Sequence, residues 1–130
     1  MVSGEGIGSG IRGYKDLEVW QVARRLVREC YRLSRGFPDD ERFGLTNQLR
    51  RSAVSIPSNI AEGQGRGSSK ASWNFLWIAN GALAELETQV LQANDLEFVA
   101  EDRALGVLEM IGQIGRLLTG LRHSVAQKLS

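Results

Sequence analysis

The side chains able to do covalent or acid–base chemistry are few and scattered. His123 is the only histidine in the 130 residues and Cys30 the only cysteine. One histidine cannot supply the two Glu-x-x-His units of a carboxylate-bridged di-iron bundle. One cysteine excludes an intramolecular disulfide and a multi-thiolate metal site within one chain. Glu85 and Glu87, two apart on a helix, point about 160° away from each other and do not form an acid–base pair. No serine has a base and a third orienting group readable beside it. Ser52, Ser55 and Ser58 surround Pro57, where their hydroxyls are expected to satisfy freed backbone carbonyls. Gly8-x-Gly10-x-x-Gly13 matches the dinucleotide fingerprint in letters only, since no strand feeds it, and the Gly63–Ser69 stretch lacks the Gly-Lys-Ser/Thr ending of a phosphate loop. The expectation is a chain with no catalytic residue, no metal and no cofactor. Cys30 is read as a reduced core thiol and His123 as a last-turn helix residue favoured by the dipole.

Binding chemistry is better represented. Thirteen of the 16 cationic side chains are arginine, whose planar fork suits phosphate and carboxylate. The formal charge is only +1, but residues 1–70 carry 12 basic and 8 acidic side chains whereas residues 71–130 carry 4 and 7. Arg24, Arg28, Arg32 and Arg35 share one arc of a helical projection, Arg50 and Arg51 straddle the core edge of the next helix, and Arg66 and Lys70 lie in the glycine-rich link after it. Arg24, Arg28, Arg32, Arg50, Arg51, Arg66 and Lys70 are therefore the candidate nucleic-acid contacts. Repeated on an oligomer they make a multivalent, salt-sensitive polyanion surface.

These residues must be positioned by helices, because no strand pattern or internal repeat is visible. Composition (42% apolar, 24% charged) suits one soluble globular domain. Residues 1–13, with five glycines, read as a flexible extension and residues 14–126 as the domain. A first helix is expected from Asp16, acting as cap, to about Arg35, with one apolar stripe at Trp20, Ala23, Val27, Cys30, Tyr31 and Ser34 and a second at Val19, Val22, Leu26 and Leu33. A second helix carries Leu45, Leu49, Ser52, Ile56 and Ile60 to about Glu62, kinked or broken near 53–57 by Pro57. A mobile link over 63–69 follows, with Ser68 or Ser69 capping a third helix over about 69–94. Its main stripe is Leu76, Ala79, Leu83, Leu86, Val90 and Ala93. Trp73, Trp77, Ala84 and Leu91 form another arc, assigned to a contact with a further copy of the chain. The fourth helix, about 101–125, buries Leu108, Ile111, Gly115, Leu118, Arg122 and Val125, and close helix packing is expected to offset its four glycines. Four helices joined by short links make an all-α, antiparallel up-down-up-down four-helix bundle the simplest arrangement. No apolar run reaches the ~18 residues of a membrane span and no signal pattern opens the chain, so a cytoplasmic protein without a membrane partner is expected.

Three segments carry a resemblance. Asp16-Leu17-Glu18-Val19-Trp20-Gln21-Val22-Ala23, Phe37-Pro38 with Gly44-Leu45-Thr46-Asn47-Gln48-Leu49-Arg50-Arg51, and Ser52-Ala53-Val54-Ser55-Ile56-Pro57-Ser58-Asn59-Ile60-Ala61-Glu62-Gly63 resemble the four helix bundle proteins encoded by intervening sequences of bacterial 23S ribosomal RNA genes. Phe75-Leu76-Trp77-Ile78-Ala79 and Leu83-Ala84-Glu85-Leu86-Glu87-Thr88-Gln89 extend the likeness over about residues 14–124. The resemblance implies a homo-oligomeric ring, a pentamer with a central channel in related members. It also implies a likeness in fold to the accessory variability determinant of diversity-generating retroelements, and through it contact with RNA or DNA and with a reverse transcriptase. Asn59, Glu62, Glu85 and Glu87 become, by the same resemblance, polar anchors of the bundle or its subunit contacts. The sequence thus points to a non-enzymatic, nucleic-acid-binding accessory protein, with a protein-interaction scaffold as the alternative.

Overall fold

Apolar side chains recurring every three to four residues commit each helix to burying one arc, and in the computed structural model of the chain, which describes residues 13–129, four helices do so around a common core. They are α1 (Glu18–Ser34), α2 (Leu45–Gly65), α3 (Ser69–Asp95) and α4 (Glu101–Leu129), with short 3-10 turns at Tyr14–Asp16 and Asp39–Glu41. The extension expected over 1–13 lies, apart from Gly13, outside the described residues. Each helix packs on the two beside it, α1 on α2, α2 on α3, α3 on α4 and α4 back on α1. The α2–α3 interface is the most extensive.

The expected stripes of α2 and α3 are buried in full; of the α4 stripe Ile111, Leu118, Arg122 and Val125 are buried, Leu108 and Gly115 are only half-buried, and Ala104, Val107 and Ile114 join the buried face. On α1 the weighting is reversed. Val19, Val22, Leu26 and Leu33 form the buried centre together with Ala23 and Cys30, while Trp20 and Val27 are half-buried and Tyr31 is exposed. Three large side chains expected in the core therefore form its outer edge.

Local chemistry explains the boundaries. The first helix starts at Glu18 with Leu17, not Asp16, in the cap position, and Asp16 closes the preceding 3-10 turn. At the start of α2, Glu41 Oε1 accepts the Leu45 N–H at 3.0 Å, and at the start of α3 Ser68 Oγ accepts from Ala71 N at 3.1 Å, as the serine cap predicts. The end of α3 is a Schellman turn: Phe98 N–H donates to Ala93 and Glu97 N–H to Asn94, with Glu97 at φ 64 where glycine is usual. Phe98 then lies against Phe37, ring centroids 5.7 Å apart, tying that turn to the end of α1.

Two expectations for α2 are revised: there is no break at Pro57, and the connection to α3 is shorter than expected. The helix runs unbroken through Pro57, which is buried in the core, and none of Ser52, Ser55 or Ser58 bonds to the Ala53 carbonyl among the described residues; Ser55 Oγ instead accepts from Asn59 Nδ2 at 2.8 Å. Packing on both sides keeps the helix from breaking at the proline. Nor does the link span 63–69. The helix continues to Gly65, and buried Gly63 is a point of close approach, where a β-carbon would sit 2.8 Å from Phe75 Cβ and 3.2 Å from Ser72 Cα. The glycines of α4 do not bring helices together within the chain: Gly106 and Gly120 face open space, and Gly115 meets only Leu83 Cδ2 at 3.6 Å. By length and composition α4 could cross a membrane, which Glu109 and Arg116 obscured in the sequence; only 28% of its most apolar stretch is buried in this chain.

Gly63→Ala and Glu97→Gly should move stability in opposite directions. The first forces α2 from α3 and is expected to cost about 1–3 kcal/mol; the second relieves a left-handed residue and is expected to add up to about 1 kcal/mol. Urea unfolding followed by circular dichroism reads both, and a neutral Gly63→Ala would contradict the close approach.

Candidate nucleic-acid interface

The outward edge of α1 and the first turns of α2 enclose a groove. Its upper part, about 900 Å³, is lined by Lys15, Trp20, Gln21, Arg24, Arg25, Val27, Arg28, Tyr31 and Val54. Its lower part, about 630 Å³, shares Tyr31 and Val54 and adds Arg42, Phe43, Thr46, Asn47, Arg50, Arg51 and Ser55. Among the described residues seven cations and three aromatic rings line the two parts, and no carboxylate does.

Cations and rings interleave. The Arg24 guanidinium lies 5.0 Å from the Trp20 ring centre, that of Arg50 4.6 Å from Tyr31 and that of Arg42 5.1 Å from Phe43. Arg50 also donates from Nε to Ser34 Oγ at 2.8 Å, while Ser34 Oγ donates to the Cys30 carbonyl at 2.8 Å. Arg50 therefore ties α2 to α1 and sets the floor of the groove. Trp20 is braced edge-on by Tyr14 at 5.1 Å.

Of the expected contacts, Arg24, Arg28, Arg50 and Arg51 come together in this groove. Arg32 does not: it pairs with Glu29 at 2.7 Å, and its carbonyl lies 3.5 Å from Arg103 Nη2 on the α4 side. Arg66 pairs with Glu62 at 2.9 Å and stacks on Phe75, and neither it nor Lys70 lines the groove. Both lie at the α2–α3 connection. Lys15, Arg25, Arg42 and Phe43 were missed. An arginine beside an exposed aromatic at 42–43 was the readable signal; the other two reach the groove only through the packing of α1.

The arc assigned to self-contact is divided. Trp73 is half-buried against the core, whereas Ala84 is exposed and Trp77, Leu91 and the neighbouring Ile78 are each about half exposed (47%, 47% and 51%). Beneath Trp77 lies Arg122, its guanidinium 4.1 Å from the ring centre and 9% exposed. Of the motif anchors, Asn59 Nδ2 donates to the Ser55 carbonyl within α2, Glu62 makes a surface ion pair, and Glu85 and Glu87 are exposed without a hydrogen bond among the described residues.

The model of the 23S rRNA-intervening sequence protein family matches residues 15–120. The chain belongs to that family. A crystal structure from Bacteroides thetaiotaomicron, of a protein with unknown function from the S23 ribosomal protein family, is similar with a TM-score of 0.74 over 80% of this chain and 97% of that one. At 21% identity it supports the fold, not an activity. No curated protein matches. Within the family's span no group of three His, Cys, Asp or Glu side chains is placed to hold a metal among the described residues.

Burial, and after it the neighbouring Glu29 carboxylate, pushes the Cys30 thiol from 9.0 up to about 12. A thiol held protonated is a poor nucleophile. The unfolded thiol ionises above about pH 8.5 while the folded one does not, so its stabilising contribution is complete below that pH and lost as pH rises toward 12. Iodoacetamide at pH 8 should leave Cys30 unlabelled in the folded chain and label it fully in denaturant, whereas rapid labelling of the folded chain would contradict this burial.

Proposed function

We propose that this family member is a non-enzymatic, cytoplasmic, homo-oligomeric bundle that binds RNA or DNA through the groove between α1 and α2. One observation carries the reading: among the described residues, seven cations interleaved with three aromatic rings and no carboxylate line one groove. Phosphates are met by the guanidinium groups without competition from a neighbouring acid, and association falls with salt as counterions are released. The helices are read as up-down-up-down. Support comes from Arg50 of early α2 bonding Ser34 at the end of α1, Gly63 of late α2 meeting early α3, and Arg122 of late α4 stacking on Trp77 of early α3.

Self-association is the second part of the reading, supported by the apolar side chains left exposed on α3 and α4 (Trp77, Ile78, Leu91 and Leu105) and by open space around Gly106 and Gly120. The family resemblance makes a pentameric ring the form proposed, and nominates a reverse transcriptase as protein partner. No membrane is assigned, because α4 is packed as the fourth wall of the bundle. The same apolar face, with a net charge of only +1, favours the alternative of a protein-interaction scaffold.

Fluorescence anisotropy with a structured RNA at low and moderate salt separates the two. Binding is expected at low salt. Arg24→Ala, Arg28→Ala and Arg51→Ala together should weaken it and flatten the log K against log salt slope by about 2–3. Arg50 is left in place because it holds α1 to α2. No binding at low salt, or binding unchanged by the triple variant, would leave the scaffold reading.

A further inference from the structure

We propose that the groove takes an unpaired strand, with one base stacked on Phe43 and its edge turned into the cleft between α2 and α3. This rests on the nucleic-acid reading above and names its ligand.

Phe43 is 85% exposed, more than any other large apolar side chain described, and belongs to no part of the core. It stands where two depressions meet: the lower, cationic part of the groove and a separate cleft of about 680 Å³ between α2 and α3. A base has two flat faces that water solvates poorly, and a bare ring beside arginines is the platform that unpaired strands use. A duplex keeps those faces inside its own stack and presents only its backbone, 2′-hydroxyls and base edges, so it has no base face to lay on Phe43.

The cleft beyond Phe43 is polar in a different way from the groove. Gln48, Ser52, Glu85 and Gln89 line it, with Arg51 on the boundary. These amide, hydroxyl and carboxylate groups are the kind that read base edges, whereas the arginines of the groove suit phosphates. Gln89 Oε1 is buried without a hydrogen-bond partner among the described residues, and Glu85 adds an exposed carboxylate. The exposed Glu85 carboxylate, with Gln89 behind it, favours an edge rich in N–H donors, and the exocyclic amine of cytosine offers two where uracil offers N3–H alone. Arg51, at the mouth, supplies the cation for a phosphate entering beside Glu85.

The test is fluorescence anisotropy of the full chain with three end-labelled RNAs of about 12 nucleotides per strand, a length that spans an extended site. The probes are oligocytidylate, oligouridylate and a duplex, at one low salt concentration. Oligocytidylate should bind most tightly. Phe43→Ala should weaken it about tenfold while leaving duplex binding unchanged, and Glu85→Gln should bring it toward the affinity of oligouridylate. Both positions are exposed, and circular dichroism of each variant checks folding. The proposal is overturned if the duplex binds as well as the single strands, if Phe43→Ala has no effect, or if the two homopolymers bind alike; in these cases the broader nucleic-acid reading survives. If none of the three probes binds, that broader reading falls as well.

Discussion

Everything on the cationic side follows from how α1 is rotated. To bury Val22, Ala23, Leu26, Cys30 and Leu33 against its neighbours, the helix has to leave Arg24, Arg28 and Tyr31 on the opposite arc. Removing apolar surface from water at about 25 cal/mol per Å² outweighs any preference those exposed groups have among themselves. The Arg50 bond to Ser34 then fixes α2 beside that arc. A solvated row of arginines becomes one wall of a groove, with α2 as the other.

The charge division in the sequence acquires a spatial meaning. Helices α1 and α2 line the groove with arginine and no described carboxylate lines it, while residues 71–130 carry the acidic excess and α3 and α4 most of the exposed large apolar side chains. One side suits a polyanion and the other suits burial against protein. Arg122 shows what the second side tolerates: a guanidinium 9% exposed, stacked on Trp77 and reaching only Asn80 Oδ1 and Thr119 Oγ1 at 3.4 and 3.3 Å. A buried cation with neutral partners is costly to hold, and the indole face offsets part of that cost.

Helix number, approximate spans and the core stripes of α2, α3 and α4 were legible because a 3.6-residue period survives any tertiary context. Where two stripes competed, as on α1, periodicity did not say which faces the core; that was decided by fit against α2 and α4. Pro57 as a break and Gly63 as the start of the link misled for the same reason. Both read as breakers when the chain is taken alone, and both are accommodated by packing, Gly63 because its missing β-carbon admits α3. At the candidate site, Arg24, Arg28, Arg50 and Arg51 could be gathered from helical spacing. Lys15, Arg42 and Phe43 come from turns, which follow no period, so only the adjacency of Arg42 and Phe43 was there to read; Arg25 lies on α1 itself, next to Arg24, and was passed over. Arg32 and Arg66 show the reverse error: each has an acid one turn away that the helical projection brought within reach.

The central claim is that one copy of this chain leaves apolar surface that another copy covers, so that the grooves are presented several at a time. Native mass spectrometry of the full chain from low-salt buffer tests it most directly. The account predicts a discrete multiple of the chain mass, with Trp77→Glu shifting the population toward single chains. A wild-type spectrum containing only the single chain at micromolar concentration would contradict it.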